Sequence, residues 1–128
     1  MFDLRRNRDR GRSHSDWLVS RHSLSFGGFD DPDYRRFRTM EVLNDDVISA
    51  GAGFSPHGHD NVEIISYIVR GRLAHEDSTG HAGTLEAGEV QRISAGTGIR
   101  HREFNDSDEM PLRLIQMWFT PSERETDP

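Results

Sequence analysis

No window of the chain keeps an apolar residue returning every third or fourth position, so the helical signature is missing. Short apolar runs recur instead from residue 17 onward, broken by glycine, proline, aspartate and asparagine. They predict strands at 17–21, 39–44, 47–50, 62–70, 73–75, 83–85, 90–94 and 112–120. Turn residues fill the intervals: "FGGFDDPDY", "LNDD", "DSTG", "EAGE" and "FNDSDEMP". In the 62–70 run, Val62, Ile64 and Ile68 share one face, and Ile65, Tyr67 and Val69 the other. The last run alternates in the same way, with Leu112, Leu114 and Trp118 against Ile115, Met117 and Phe119. Strands apolar on both faces belong between packed layers, and many of them in a small domain predict an all-β jelly roll.

Length and charge narrow the picture. With 128 residues the chain suits one domain, and no apolar stretch approaches the roughly 20 residues that span a bilayer. The start "MFDLRRNRDRGRSHSDW" lacks the apolar segment of a secretory signal, so the expected location is the cytoplasm, with no membrane partner. All 16 basic residues are arginine and 22 are acidic, a balance of -6 that argues against a nucleic-acid partner. The one basic cluster, Arg5 to Arg12, reads as a flexible arm over residues 1–12. Residues 13–120 then form the domain, and 121–128 a polar, fraying tail.

Candidate chemistry begins with the absence of cysteine, which leaves histidine and carboxylate as the strong metal ligands available. In extended chain, His57 and His59 of "PHGHD" project from one face with Cβ atoms roughly 7 Å apart, close enough to converge on one ion. "SAGTGIRHREFN" supplies a second pair of matching parity, His101 and Glu103. Two such pairs on strands brought together by a barrel offer three neutral nitrogens and a carboxylate. Glu63 competes for the carboxylate role, since it keeps the parity of His57 and His59 if the strand runs on unbroken. Whichever glutamate is not a ligand is a candidate to orient an imidazole or take a substrate proton. Gly51, Gly53, Gly58, Gly96 and Gly98 surround the two pairs and suit tight barrel corners. His22 is a candidate for the cavity mouth. His14, His75 and His81 read as surface residues, and Phe26, Phe29, Tyr34 and Phe37 read as core packing or a lid.

These segments carry a family resemblance. "HGHDNVEIISYIVRG" resembles the first cupin motif and "GEVQRISAGTGIRHREFN" the second. With "WLVSRHSLSFGGFDDPDYRRF", "EVLNDDVISAGAGF" and "AHEDSTG", the chain is similar over about residues 10–120 to the N-terminal domain of the pirin family. The resemblance implies a double-stranded β-helix, with metal ligands at His57, His59, His101 and Glu103, and so favours Glu103 over Glu63 for coordination. Gly58 stands where that family generally has proline. Four ligands on an octahedral ion leave two positions open. The resemblance points to one divalent metal, Fe(II) first, with Mn, Ni, Cu, Co and Zn compatible with the same donors. It implies a dioxygenase of the quercetin 2,3-dioxygenase type, acting on a small aromatic enol or flavonol with Glu103 or Glu63 accepting the hydroxyl proton. The alternative is a non-catalytic, metal- or redox-sensing binding protein. Pirins usually hold two cupin domains in one chain. A single copy is therefore expected to cover its apolar surface as a homodimer, unless the sequence is a fragment.

Overall fold

The structure, a computed structural model, describes all residues 1–128. After a short turn of 3₁₀ helix at Asn7–Asp9 come ten strands: β1 (Gly11–His14), β2 (Leu18–His22), β3 (Met40–Ile48), β4 (Gly53–His59), β5 (Glu63–Arg70), β6 (Arg72–Asp77), β7 (Ala82–Glu86), β8 (Val90–Ser94), β9 (Ile99–Asn105) and β10 (Leu112–Phe119). They form two antiparallel sheets, one of six strands ordered β1-β2-β3-β10-β5-β8 and one of four ordered β4-β9-β6-β7. No helix is long and apolar enough to cross a membrane.

Two apolar clusters fill the space between the sheets. Ile48, Ile68, Leu73, Leu85, Leu112 and Leu114 form one, and Val62, Ile64, Ala95 and Ile99 the other. Each such buried Leu or Ile contributes ~1.5–3 kcal/mol relative to exposure, so these clusters hold the sheets face to face. On β9 the alternation is strict: Ile99, His101, Glu103 and Asn105 are buried, while Arg100 and Arg102 face solvent. That period of two aims two polar side chains inward from a strand pinned at both ends by apolar or amide contacts. Asn105 fixes the end of β9, because its amide donates to the carbonyls of Ile48 at 3.1 Å and Met110 at 2.7 Å.

Several expectations change. The predicted strands at 39–44 and 47–50 are one strand, β3, and "LNDD" is no turn. Asn44, Asp45 and Asp46 are all buried, because each finds a partner: His22, the Arg113 guanidinium and the Ser20 hydroxyl respectively. Only the inward face of β5 is fully covered; outward, Tyr67 and Val69 are 41% and 37% exposed. The basic N-terminal segment packs against the barrel. Arg5 pairs with Asp31 at 3.0 Å and lies 3.7 Å over the Tyr34 ring, Arg10 reaches Asp45 at 3.4 Å, and β1 runs through the expected boundary at residue 12. The C-terminal segment is likewise held, with the Glu125 amide on Asn61 at 2.7 Å and Thr97 on the Thr126 carbonyl at 2.9 Å.

Candidate metal centre

Strands β4 and β9 pair so that His57 stands opposite His101, with His59 two residues along. The register is irregular between Phe54 and His57, a bulge at Ser55–Pro56 that lets Phe54, His57 and His59 all line one cavity. His101 Nε2 lies 2.9 Å from His57 Nε2 and 3.1 Å from His59 Nε2. Three imidazoles thus present their ring nitrogens to one point, all within 4.8 Å of one another. Ligands about 2.1 Å from an ion and at right angles to each other stand about 3.0 Å apart, so the two close separations match neighbouring corners of an octahedral site.

The protonation states fit as well. His57 Nδ1 donates to the Ser55 carbonyl at 2.8 Å, which leaves Nε2 as a bare lone pair facing the cluster. Burial, followed by the proximity of His57, pushes His59 down to about 4. Burial and the same neighbours push His101 to about 4. Both rings are therefore neutral at physiological pH, the form that binds a metal.

Glu103 adjoins this group, with Oε1 3.6 Å from His101 Nε2. Burial pushes its carboxyl up to about 7, against the Gln116 amide that donates to Oε1 at 3.3 Å; the nearby Asp46 charge adds to the rise. Its other oxygen, Oε2, is buried with no protein partner. A buried carboxyl group with one unpartnered oxygen, its other oxygen 3.6 Å from the nearest of three converging imidazole nitrogens, fits a cation.

Glu63 does not join them. The chain breaks its extended course at Asp60–Asn61, where Asn61 takes φ +47°, and re-enters as β5 of the other sheet. Parity is lost across that break, and Glu63 accepts a hydrogen bond from Ser94 at 2.6 Å on the outward face, opposite Phe119. The structure leaves it outside the residues that line the cavity.

The cavity beside the cluster has a volume of about 220 Å³. His57, His59 and Glu103 form one wall. Ser20, His22, Asn44, Asp46 and Gln116 of the six-stranded sheet form the other. Trp118 closes the side, its ring 5.1 Å from His59 and 5.9 Å from Phe26. His22 is placed at the cavity as expected, though it is 1% exposed and so deep in the wall. Of the lid candidates, only Phe26 lines the cavity. Phe29 packs against Gly11, Tyr34 carries Arg5, and Phe37 is exposed. Asn44, Asp46, Ser20 and Gln116 were missed by sequence reasoning. Their signal was parity: Val42, Asn44, Asp46 and Ile48 share the inward face once β3 is seen as continuous.

A larger, open cleft of about 630 Å³ elsewhere is lined by His75, Asp77 and His81. There Asp77 Oδ1 already accepts from the Thr79 amide and hydroxyl and the His81 amide, so the donors serve the turn and do not converge on a ligand.

Two antiparallel sheets closed on each other, with converging histidines on two adjacent strands of one sheet and a cavity between the sheets, define a cupin double-stranded β-helix. Within that class the chain belongs to the Pirin family, which matches residues 3–119. Quercetin 2,3-dioxygenase of Escherichia coli (strain K12) is 44% identical over 128 residues, covering 100% of this chain and 55% of that protein. The bacterial pirin YhhW from Escherichia coli, solved in complex with nickel(II), superposes with a TM-score of 0.94 at 43% identity, over 97% of this chain and 54% of that one. GK1651 from Geobacillus kaustophilus gives a TM-score of 0.77 at 27% identity, over 93% and 46% of the two chains. The chain thus spans about half the length of the curated relatives it matches.

Proposed function

We propose that this chain is a metal-dependent dioxygenase of the quercetin 2,3-dioxygenase type, acting on a compact aromatic enol that chelates the metal through adjacent oxygens. The observation that supports it most is the convergence of three imidazole nitrogens next to a buried carboxyl group, one oxygen of which has no protein partner. His57, His59 and His101 would hold one divalent ion, Fe(II) in our reading, and Glu103 would complete the set. When bound, such an ion supplies Lewis-acid polarisation of the substrate oxygens and redox access to dioxygen.

The rest falls to the chain's own side chains. Glu103, with its carboxyl near neutrality, accepts the enol proton at Oε2, while Gln116 steadies Oε1. Gln116 is itself fixed by the Trp118 indole N–H at 3.0 Å. Trp118 and Phe26 flank the aromatic ring and keep water from it. The volume of about 220 Å³ falls below the roughly 300 Å³ at which drug-sized ligand pockets begin, which favours a one- or two-ring enol, or a flavonol whose pendant ring stays at the mouth. Relatives named quercetin 2,3-dioxygenase support the reaction type, and the nickel(II) complex of a relative supports metal binding. We also place the protein in the cytoplasm, as a homodimer.

Oxygen consumption by Fe(II)-reconstituted protein tests the reading. Uptake that depends on a flavonol or its bicyclic enol core, and is lost in His57→Ala/His101→Ala, is the expected result. Full metal occupancy with no uptake on any chelating enol would replace the enzyme with a non-catalytic metal-sensing cupin.

A further inference from the structure

The wall of the cavity that faces the histidines is built from polar side chains where a jelly roll ordinarily places apolar ones. Burying such groups costs free energy unless each finds a partner, and here the partners are found in an uneven way. Ser13 lies 2.7 Å from His22 Nε2, and His22 Nδ1 lies 2.8 Å from Asn44 Oδ1. Because Asn44 Oδ1 only accepts, the His22 ring carries a proton on Nδ1, and Nε2 is left to the Ser13 hydroxyl. That chain occupies the Asn44 oxygen and leaves its amide NH₂ without a protein partner. Next along the strand face, the Ser20 hydroxyl donates to Asp46 Oδ1, and Asp46 Oδ2 is left without one. Asn44 and Asp46 are 4% and 5% exposed, and both line the cavity. Two residues apart on β3, they share its inward face.

We infer that Asn44 and Asp46 form a specificity site for a second hydroxyl of the substrate, on the cavity wall that faces the histidines. The inference rests on the proposed reading of the cavity as an aromatic enol site. A hydroxyl is the complement of what the two residues leave open: it donates to the carboxylate and accepts from the amide. A carbonyl or a bare ring edge satisfies only one of them or neither, and leaves a polar group of the wall unpaired once the ligand has displaced water from the cavity. Ser20 and His22 are positioning residues, which turn the Asp46 and Asn44 side chains so that these atoms face the ligand. The preferred substrate is thus an aromatic enol that carries a further hydroxyl beyond its chelating pair of oxygens.

Binding of two probes decides the matter: 3-hydroxychromone, and the same compound with one added hydroxyl on its fused ring. Quenching of tryptophan fluorescence at mildly alkaline pH, in a Trp17→Phe background that leaves Trp118 as the reporter, follows both in protein loaded with redox-quiet nickel(II). A hydrogen bond to a buried charged group predicts that wild type binds the hydroxylated probe roughly tenfold or more tightly than its parent. In Asp46→Asn, which keeps the shape and an acceptor for Ser20, the preference shrinks to about threefold or less, read as the ratio of the two affinities within each protein so that any effect common to both probes drops out. Ser20→Ala, a smaller change that leaves the carboxylate in place, gives an intermediate preference and carries the test if the first variant folds poorly. Binding of both probes without discrimination in wild type, or discrimination that survives in Asp46→Asn, overturns the specificity site and leaves the enol reading standing. Failure of both probes to bind metal-loaded wild type overturns the specificity site and the enol reading together.

Discussion

Ser55 gives only its backbone carbonyl to the cluster, yet that carbonyl decides which nitrogen of His57 faces inward. His59 and His101 reach the same readiness by burial, and burial has a pH signature. An imidazole held at about 4, below its ordinary 6.5, binds fewer protons folded than unfolded between those values. The stability linked to it therefore falls as pH drops from 6.5 toward 4. Glu103 has the opposite sign. Raised from 4.5 to about 7, it holds a proton when folded that the unfolded chain has released, so its contribution falls as pH rises through that window. Urea denaturation of metal-free protein reads both effects. Wild type should lose stability against His59→Gln/His101→Gln on acidification below 6.5, and against Glu103→Gln as pH rises from 4.5 to about 7. Parallel profiles for all three proteins would contradict this account of the site.

At the level of the strand, the β4–β9 pair sets the metal geometry through close backbone contact. A Cβ built on Gly53 would stand 2.4 Å from the Glu103 carbonyl oxygen and from Phe104 Cα, both backbone neighbours that cannot turn aside. Gly53→Ala should therefore push β4 from β9, lowering both the melting temperature and the number of metal ions retained per chain; unchanged values for both would show that the pairing has slack. On the other sheet, Asp45 binds the Arg113 guanidinium through both oxygens, at 3.0 and 2.9 Å, and Arg10 at 3.4 Å. Asp45→Ala leaves those partners uncompensated at a half-covered surface and should cost about 1–3 kcal/mol in chemical denaturation. These two strands also show what was legible beforehand. The parity of His57 with His59 and of His101 with Glu103 was readable, because each pair lies within one unbroken extended stretch. Glu63 was misplaced because a single left-handed residue, Asn61, moves the chain to the other sheet between His59 and Glu63. Asn44 and Asp46 were hidden because asparagine and aspartate signal a turn when their partners, His22 and Ser20, lie on another strand.

For the whole molecule, the outward face of the six-stranded sheet matters next. Tyr67, Val69 and Val90, 41%, 37% and 59% exposed, put apolar surface on the β5–β8 side. A second copy covering that face is our expectation for this chain in solution. Sedimentation at micromolar concentration should give a dimer, and Val90→Glu should shift it toward monomer; a stable, non-aggregating wild-type monomer would end that proposal. Every functional statement above nonetheless depends on one property, that the three imidazoles hold a metal ion. Metal content by plasma mass spectrometry, on protein purified without chelator or nickel resin, tests it most directly. About one ion per chain in wild type, lost in His57→Ala/His101→Ala, is the predicted result, following from one cluster of three converging donors. No metal in either protein, and none taken up on reconstitution with Fe(II), would contradict the account and leave a cupin barrel without a metal-dependent activity.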